Sequence, residues 1–458
     1  MKKKVAVIGG GFGGLAITWQ LSRHPSIGSI DVYDRYGPGY ADASSSSAGI
    51  MHCLTPKGKI IWNGIDGMNA SLQLMDAVQP FSHDGLPIYN NQIQLQRLMF
   101  NQDDLNNWIH ASIHTPNEVE LLNGDGDWNG SKGSDGNSGV YDDKDHESID
   151  GSVIRSAIAL IKGAVIVNPF RYLTALWKSI QFNNPNTQWF TKTITSLSDL
   201  SSSSSYDIVV VACGPGILNL CPQLNKELRL VRGQNLFYDP FNNNSINSVD
   251  MNIGYISGEY IIPHTNPIDH SFSLLCGATH EHITNDQYNA YLPPVITTAY
   301  DNDDISICIN KNINCNTTTI NGNNTTINNT SFDINSSSRD HNHHQYRQQP
   351  NIEVAEQLLK NKLNLMMPSI QNMKIISGNV GTRVVTTRGS IGRLPIIGKV
   401  PIQSCSTLND SGSSNVWMMT GFGSRGLVHH ALLADYLCQS IIYDDESIIP
   451  MFLRPKLK

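Results

Sequence analysis

The chain has 458 residues, 40% of them hydrophobic and 16% charged, with a formal net charge of −7. That length can bury a large core in two domains, and that charge excludes the global basic field that recruits nucleic acid. No apolar run reaches the length of a membrane span, and the eight cysteines stand without C-x-x-C spacing, which points to free thiols in a reducing cytoplasm.

Lys2–Lys4 leads directly into the apolar run Val5–Ile8, a strand start and not the opening of a signal peptide, so no leader is expected. Gly9, Gly11 and Gly14 then spell G-x-G-x-x-G, a helix-compatible segment runs from Leu15 to Arg23, and a second strand pattern, Ser29–Tyr33, stops at Asp34. This strand–turn–helix–strand–acid order is that of a dinucleotide-binding βαβ unit. Gly9 allows the tight turn, Gly11 the approach of backbone to a pyrophosphate, and Gly14 the close packing of helix on strand. The helix N-terminus offers unpaired N–H groups to phosphate, with Phe12 and Gly13 in its first turn, and Asp34, next to Arg35, offers a carboxylate to ribose.

Ala43–Ile50 is a small, serine-rich loop. Residues 123–150 and 301–350 are low-complexity polar insertions with too little apolar surface to offset ordering. His341, His343 and His344 in the second lack a Cys or carboxylate to complete a metal set, so no metal is expected. Val165–Val167 reads as a strand and Arg171–Ile180 as a helix with Leu173, Leu176 and Trp177 on one face. Tyr206–Ala212 reads as a strand buried on both faces and running into Cys213-Gly214. Ile352–Met366 reads as an amphipathic helix with Leu358, Leu359 and Leu363 on its apolar side. Val416–Met419 reads as a strand and Leu427–Ile442 as a helix. Nucleotide-type elements thus recur at the start, middle and end of the sequence. This predicts an α/β (α+β overall) molecule with a discontinuous nucleotide domain, 1–80, 151–225 and 376–458, and an inserted domain, 81–150 and 226–375.

The series Gly9–Gly14, Ala43–Ile50, Tyr206–Gly214, Gly381–Gly398 and Thr420–Leu427 resembles the FAD-dependent oxidoreductases of the D-amino-acid oxidase/glycine oxidase superfamily. Val231–Gln234, Thr386–Pro401 and Thr420–Leu427 resemble in particular the oxidase half of the bifunctional tRNA 5-methylaminomethyl-2-thiouridine biosynthesis protein. Its methyltransferase half is absent here, and Ser390–Arg393 stands where that family usually has an Asp shortly before Leu-Pro. The resemblance implies a Rossmann-like domain holding non-covalent FAD and a mixed or antiparallel-sheet substrate domain. It places Ser45, Ser46, Ala48 and Gly49 beside the flavin or pyrophosphate, Val165 at the adenine end, and Ala212 and Gly214 in a turn packed on the cofactor. Gly421, Phe422, Gly423, Ser424, Gly426 and Leu427 would form a glycine turn and helix N-terminus aimed at the N1/C2-carbonyl pole of the flavin, where reduction gathers negative charge. A second dinucleotide site at this turn is the alternative.

Arg383 is the candidate carboxylate clamp, a fork that reads a planar anion bidentately, with Arg388 and Arg393 as further candidates. Arg425 would support flavin charge or face substrate. Tyr255 and Tyr260 would line the substrate cavity, and His52 and Cys53 would be packing residues. The implied reaction oxidises a C–N bond of an amine or amino-acid-like substrate: hydride to flavin N5, hydrolysis of the imine, and oxygen as acceptor. The substrate is either the carboxymethylaminomethyl group of a tRNA wobble uridine, for which Lys2–Lys4, Arg454, Lys456 and Lys458 offer a local basic patch, or a small amino acid such as glycine, sarcosine or a D-amino acid. A non-catalytic flavin-fold scaffold and a pyridine-nucleotide reductase are the alternatives from other classes.

Overall fold

The computed structural model describes residues 2–123, 157–200, 206–241, 249–292, 348–387, 389, 392–400 and 415–456. Almost all of both polar insertions, the His341–His344 cluster, Arg388 and Lys458 lie outside them.

Six strands form the first sheet in the order Ile396–Lys399, Asn415–Thr420, Ile208–Val211, Lys3–Ile8, Ile27–Asp34, Thr187–Thr191. All neighbours run parallel except Ile396–Lys399, which pairs antiparallel with Asn415–Thr420 at one edge. The central strands are covered on both faces, and alternation sorts their side chains between two cores. Val5, Val7, Ile208 and Val210 join the helices Phe12–Ser22, Pro169–Asn183 and Gly426–Tyr443. Ala6, Ile8, Val209 and Val211 join Ile217, Leu220 and Leu224 on the other side. The strands Lys3–Ile8, Ile27–Asp34 and Asn415–Thr420 and the helix Pro169–Asn183 extend a residue or more beyond their sequence patterns, whereas Ile208–Val211 is shorter than its own.

The second sheet has nine strands: Glu281–Ile283, Leu228–Asp239, Phe272–Gly277, Glu259–Thr265, Ile253–Ser257, Gln94–Leu98, Ala157–Ile161 and Val119–Asn123, with Lys374–Thr386 lying along the whole length of Leu228–Asp239. Its pairings are antiparallel apart from Ile253–Ser257 with Gln94–Leu98. One face carries the helix Ile352–Met366 through Leu236, Ile261, Cys276, Leu359 and Leu363; the other looks toward the first sheet. The molecule is therefore the mixed α/β architecture expected, a Rossmann-like parallel sheet beside a mixed, mostly antiparallel one.

Three details differ from the sequence reading. Ala157–Ile161 and residues 376–386 of the strand Lys374–Thr386, assigned to the nucleotide part, pair in the second sheet; short alternating runs carry no mark of which sheet they join. Leu358 is 55% exposed while Leu359 and Leu363 are buried, because the covered stripe runs through Ala355, Leu359, Leu363 and Met366. Val165–Val167 forms a small third sheet between Ile50–Met51 and Tyr89–Asn90.

Candidate active site

The two glycine turns pack against each other, Phe422 of the second lying on Gly13 of the first. At the first, Gly9 has φ +111°, outside the reach of ordinary side chains. A Cβ on Gly14 would lie 1.8 Å from the Gly9 carbonyl oxygen, so the helix Phe12–Ser22 can start this close to the strand only with glycine there. Its N-cap residue, Gly11, supplies no side-chain cap, and its first turn holds no acid, so no charged group of the first turn opposes an anion at the positive dipole end. Asp34 folds back onto the turn: Gly10 N–H donates to its Oδ2 at 2.7 Å and Tyr36 N–H to its Oδ1 at 2.8 Å. The residues Ala212 and Cys213 close over Gly9.

The serine-rich loop arrives at the same helix end. Phe12 N–H donates to Ser44 Oγ at 3.1 Å, so Ser44 is the hydroxyl placed beside the phosphate-type site. Ser45 and Ser46 turn away from it. Ser45 Oγ donates to the Ala41 carbonyl, and Ser46 Oγ to the Val380 carbonyl at 2.8 Å, tying the loop to the second sheet. Ala48 is half-buried against the central core, and Gly49 abuts the Val167 carbonyl. Phe12 contributes backbone alone here, since its ring is buried against Tyr172 and His430, 5.9 and 5.8 Å between centroids. Val165 pairs with Met51, which puts it near the Gly49 turn and not beside Asp34. The segment bordering that acid is 191–193: Lys192 N–H donates to the Asp34 carbonyl at 2.8 Å, and Arg35 Nε to Thr193 Oγ1 at 3.3 Å. Strand order fixes this, and no local motif announces it.

The second glycine turn, Gly421–Gly426, opens the helix Gly426–Tyr443. Phe422 packs on Gly13, where an added Cβ would sit 3.1 Å from its ring, and Gly423 N–H donates to the Val384 carbonyl at 2.8 Å. This turn therefore touches both the first helix and the strand that carries Arg383. Ser424 is exposed, Gly214 opens a short turn after the Ile208–Val211 strand, and Leu427 is a core residue. Arg425 is half-buried at the head of its helix; burial and Arg393 lower its pKa. His52 is held neutral, at about 4, by burial and by the charges of Arg97 and Arg425.

A row of directly opposed residues crosses the sheet face that looks toward the first sheet: Arg97, Ile256, Tyr260, Gly277, Asn235 and Asn379. Tyr260 donates to Asn235 Oδ1 at 2.6 Å, and Asn235 Nδ2 donates to the Ser46 carbonyl and to Asn379 Oδ1, both at 2.8 Å. This network locks the loop of the first domain onto the second sheet. Arg383 lies four residues along the same strand pair from Asn379, opposite Val231, with its Nη2 3.2 Å from His280 Nε2. No carboxylate pairs with Arg383 among the described residues, and burial lowers its pKa. Tyr255 does not line this space: it packs under Ile352–Met366 on the opposite face. Ser257 pairs with Glu259 across a tight hairpin, and that turn puts Tyr255 and Tyr260 on opposite sides. Asn235 and His280 were invisible to sequence reasoning, which has no signal for register.

The expected basic patch is interleaved with acids. Lys4 pairs with Asp31 at 3.2 Å, Asp444 feels Lys3, and Asp445 feels Arg454. Among the described residues no helix is long and apolar enough to cross a membrane.

The family model described as FAD dependent oxidoreductase matches residues 4–440. Among solved structures, the glycine oxidase of Geobacillus kaustophilus is 13% identical, with a TM-score of 0.59 over 97% of this chain and 96% of that one. The iminodiacetate oxidase of Chelativorans sp. BNC1 is 13% identical, with a TM-score of 0.58 over 98% of both chains. The L-amino acid deaminase of Proteus myxofaciens, in complex with anthranilate, is 10% identical, with a TM-score of 0.57 over 99% and 93%. No curated protein sequence matches.

Proposed function

This chain belongs to the FAD-dependent oxidoreductase family, and on that premise we propose that it oxidises the C–N bond of an amine or amino-acid-like substrate whose carboxylate sits on Arg383. The observation that supports this reading is the contact between the two glycine turns, with Ser44 Oγ on the first helix and the second turn bonded to the strand that carries Arg383, a cation without an acidic partner among the described residues.

The residues present fit non-covalent FAD. Gly9–Gly14, Ser44 and Asp34 would hold the ADP half, with Arg35 and Thr193 at its outer end, and Gly421–Gly426 the flavin. When bound, FAD supplies a two-electron acceptor. The chain supplies orientation and charge. Arg383 fixes the carboxylate through a bidentate fork. Tyr260 and Asn235 shape the floor under the substrate, and Arg425 with the helix N-terminus behind it sets a positive pole at the far side. The half-buried setting of these groups strengthens each interaction relative to water.

Oxygen is the acceptor that fits an oxidase of this kind, and the buried thiols Cys53, Cys276 and Cys438, which form no disulfide among the described residues, favour a cytoplasmic setting. Within the reading, small secondary or primary amino acids come first. The carboxymethylaminomethyl group of a tRNA wobble uridine offers the same carboxylate and amine, and the likeness of Thr420–Leu427 and Val231–Gln234 supports it; the acids threaded through the basic patch weigh against it. An anaerobic screen of amines, amino acids and modified nucleosides tests the proposal. Bleaching of the flavin by an amine or amino acid supports it; bleaching by NADPH and by none of these overturns it. Unchanged carboxymethylaminomethyl levels on wobble uridines of a deletion strain remove the tRNA reading.

A further inference from the structure

We propose that His280 is the base that removes the proton from the substrate's ammonium nitrogen before oxidation. The inference rests on the reading of Arg383 as the carboxylate site.

Two contacts fix the imidazole. Its Nδ1 lies 3.2 Å from the Ala278 carbonyl oxygen, which can only accept, so Nδ1 carries the hydrogen. Its Nε2 lies 3.2 Å from Arg383 Nη2, which can only donate, so Nε2 presents a lone pair. In an α-amino acid one carbon separates the nitrogen from the carboxylate carbon. A carboxylate that takes over the Arg383 Nη2 hydrogen therefore frees Nε2 and delivers the ammonium group next to it. One N–H bond of the substrate breaks, one Nε2–H bond forms, and the electron pair stays on the amine nitrogen. His280 is exposed at its outer side, so the imidazolium can release the proton to water.

The surrounding charges give the base a trigger. Arg383 acts on it from the long strand, Glu259 from the start of the strand Glu259–Thr265, Lys362 from the helix Ile352–Met366, and His282 follows two residues on, in the short strand Glu281–Ile283. Burial, Arg383 and Lys362 hold the His280 pKa below its usual value, while the Ala278 carbonyl and Glu259 act in the opposite sense. An anion seated on Arg383 cancels the strongest of the opposing charges. The imidazole thus gains proton affinity as substrate arrives, and only then.

The test uses the FAD-loaded protein with ring-labelled histidine, His280→Gln identifying the signal. By NMR titration, the His280 pKa should lie below the ordinary value of about 6.5 and rise by about one unit in saturating sodium acetate, which has the carboxylate and no amine. A His280 that titrates at the same pH with and without acetate overturns the inference. This arm decides whichever amine proves to be the substrate. A second arm follows anaerobic flavin reduction by N-methylglycine against pH. His280→Gln should be slower by about a hundredfold at pH 7 and should converge on the parent protein as the pH approaches that of the free amine. An equal loss at every pH marks a structural role and also overturns it. Acetate that perturbs the flavin through Arg383 while His280 stays unmoved sinks this inference alone; acetate that perturbs the flavin not at all sinks the reading of the site beneath it.

Discussion

Arg383 and Tyr260 divide the substrate side between charge and shape. Arg383→Met should leave FAD absorbance intact and weaken acetate binding about a hundredfold, the worth of two charge-assisted hydrogen bonds, read by titration of the flavin spectrum. Tyr260→Phe acts differently. It removes the hydroxyl that satisfies Asn235 Oδ1 at 2.6 Å and should cost about 1–2 kcal/mol in urea unfolding, with a smaller effect on acetate. Arg383 was singled out in the sequence through the family resemblance of Gly381–Gly398 and the fork chemistry of its guanidinium. Asn235 was not, because its importance comes from partners at Ser46 and Asn379, far away in the chain. Tyr255 and Tyr260 looked equivalent for a related reason: strand parity is readable only once the hairpin turn between them is known.

Among the elements, the helix Phe12–Ser22 is defined by closeness to its strand, so Gly14→Ala should prevent stable FAD retention, seen as colourless protein after gel filtration, while the far sheet still folds. The helix Gly426–Tyr443 makes a pH prediction. It buries His429 and His430 completely, and burial holds both near a pKa of about 4. Above pH 6.5 both the folded and unfolded chains carry them neutral. Between 6.5 and 4 the unfolded chain takes up protons that the folded one refuses, so stability falls as the pH drops, by up to about 3 kcal/mol for each histidine. His430 is anchored by the Tyr172 hydroxyl at 2.5 Å. His429 has neither ring nitrogen paired among the described residues. His429→Phe should therefore match or exceed the parent in urea unfolding at pH 7 and lose less than the parent on moving to pH 5. A steeper loss would show that the imidazole has a partner.

Across the whole molecule, what the sequence disclosed was local: glycine spacing, apolar runs and helical stripes each settle within some twenty residues, and the first sheet is built from such pieces. What it concealed was register, which decides that Arg97, Tyr260, Asn235 and Asn379 share a row, that Ala157–Ile161 joins the second sheet, and that 191–193 rather than Val165 borders Asp34. The two sheets are held together at the serine-rich loop through Ser46, so a ligand bound there should stabilise both. Adding FAD should raise a single melting transition with a shift that grows with concentration. The most direct check of the central claim is calorimetric titration of FAD into the flavin-free protein. One FAD per chain, with binding lost in Gly14→Ala and weakened by substitution at Gly423, is the predicted result. Protein that takes up no FAD, or takes it up equally well with both glycine turns altered, would contradict a shared cradle.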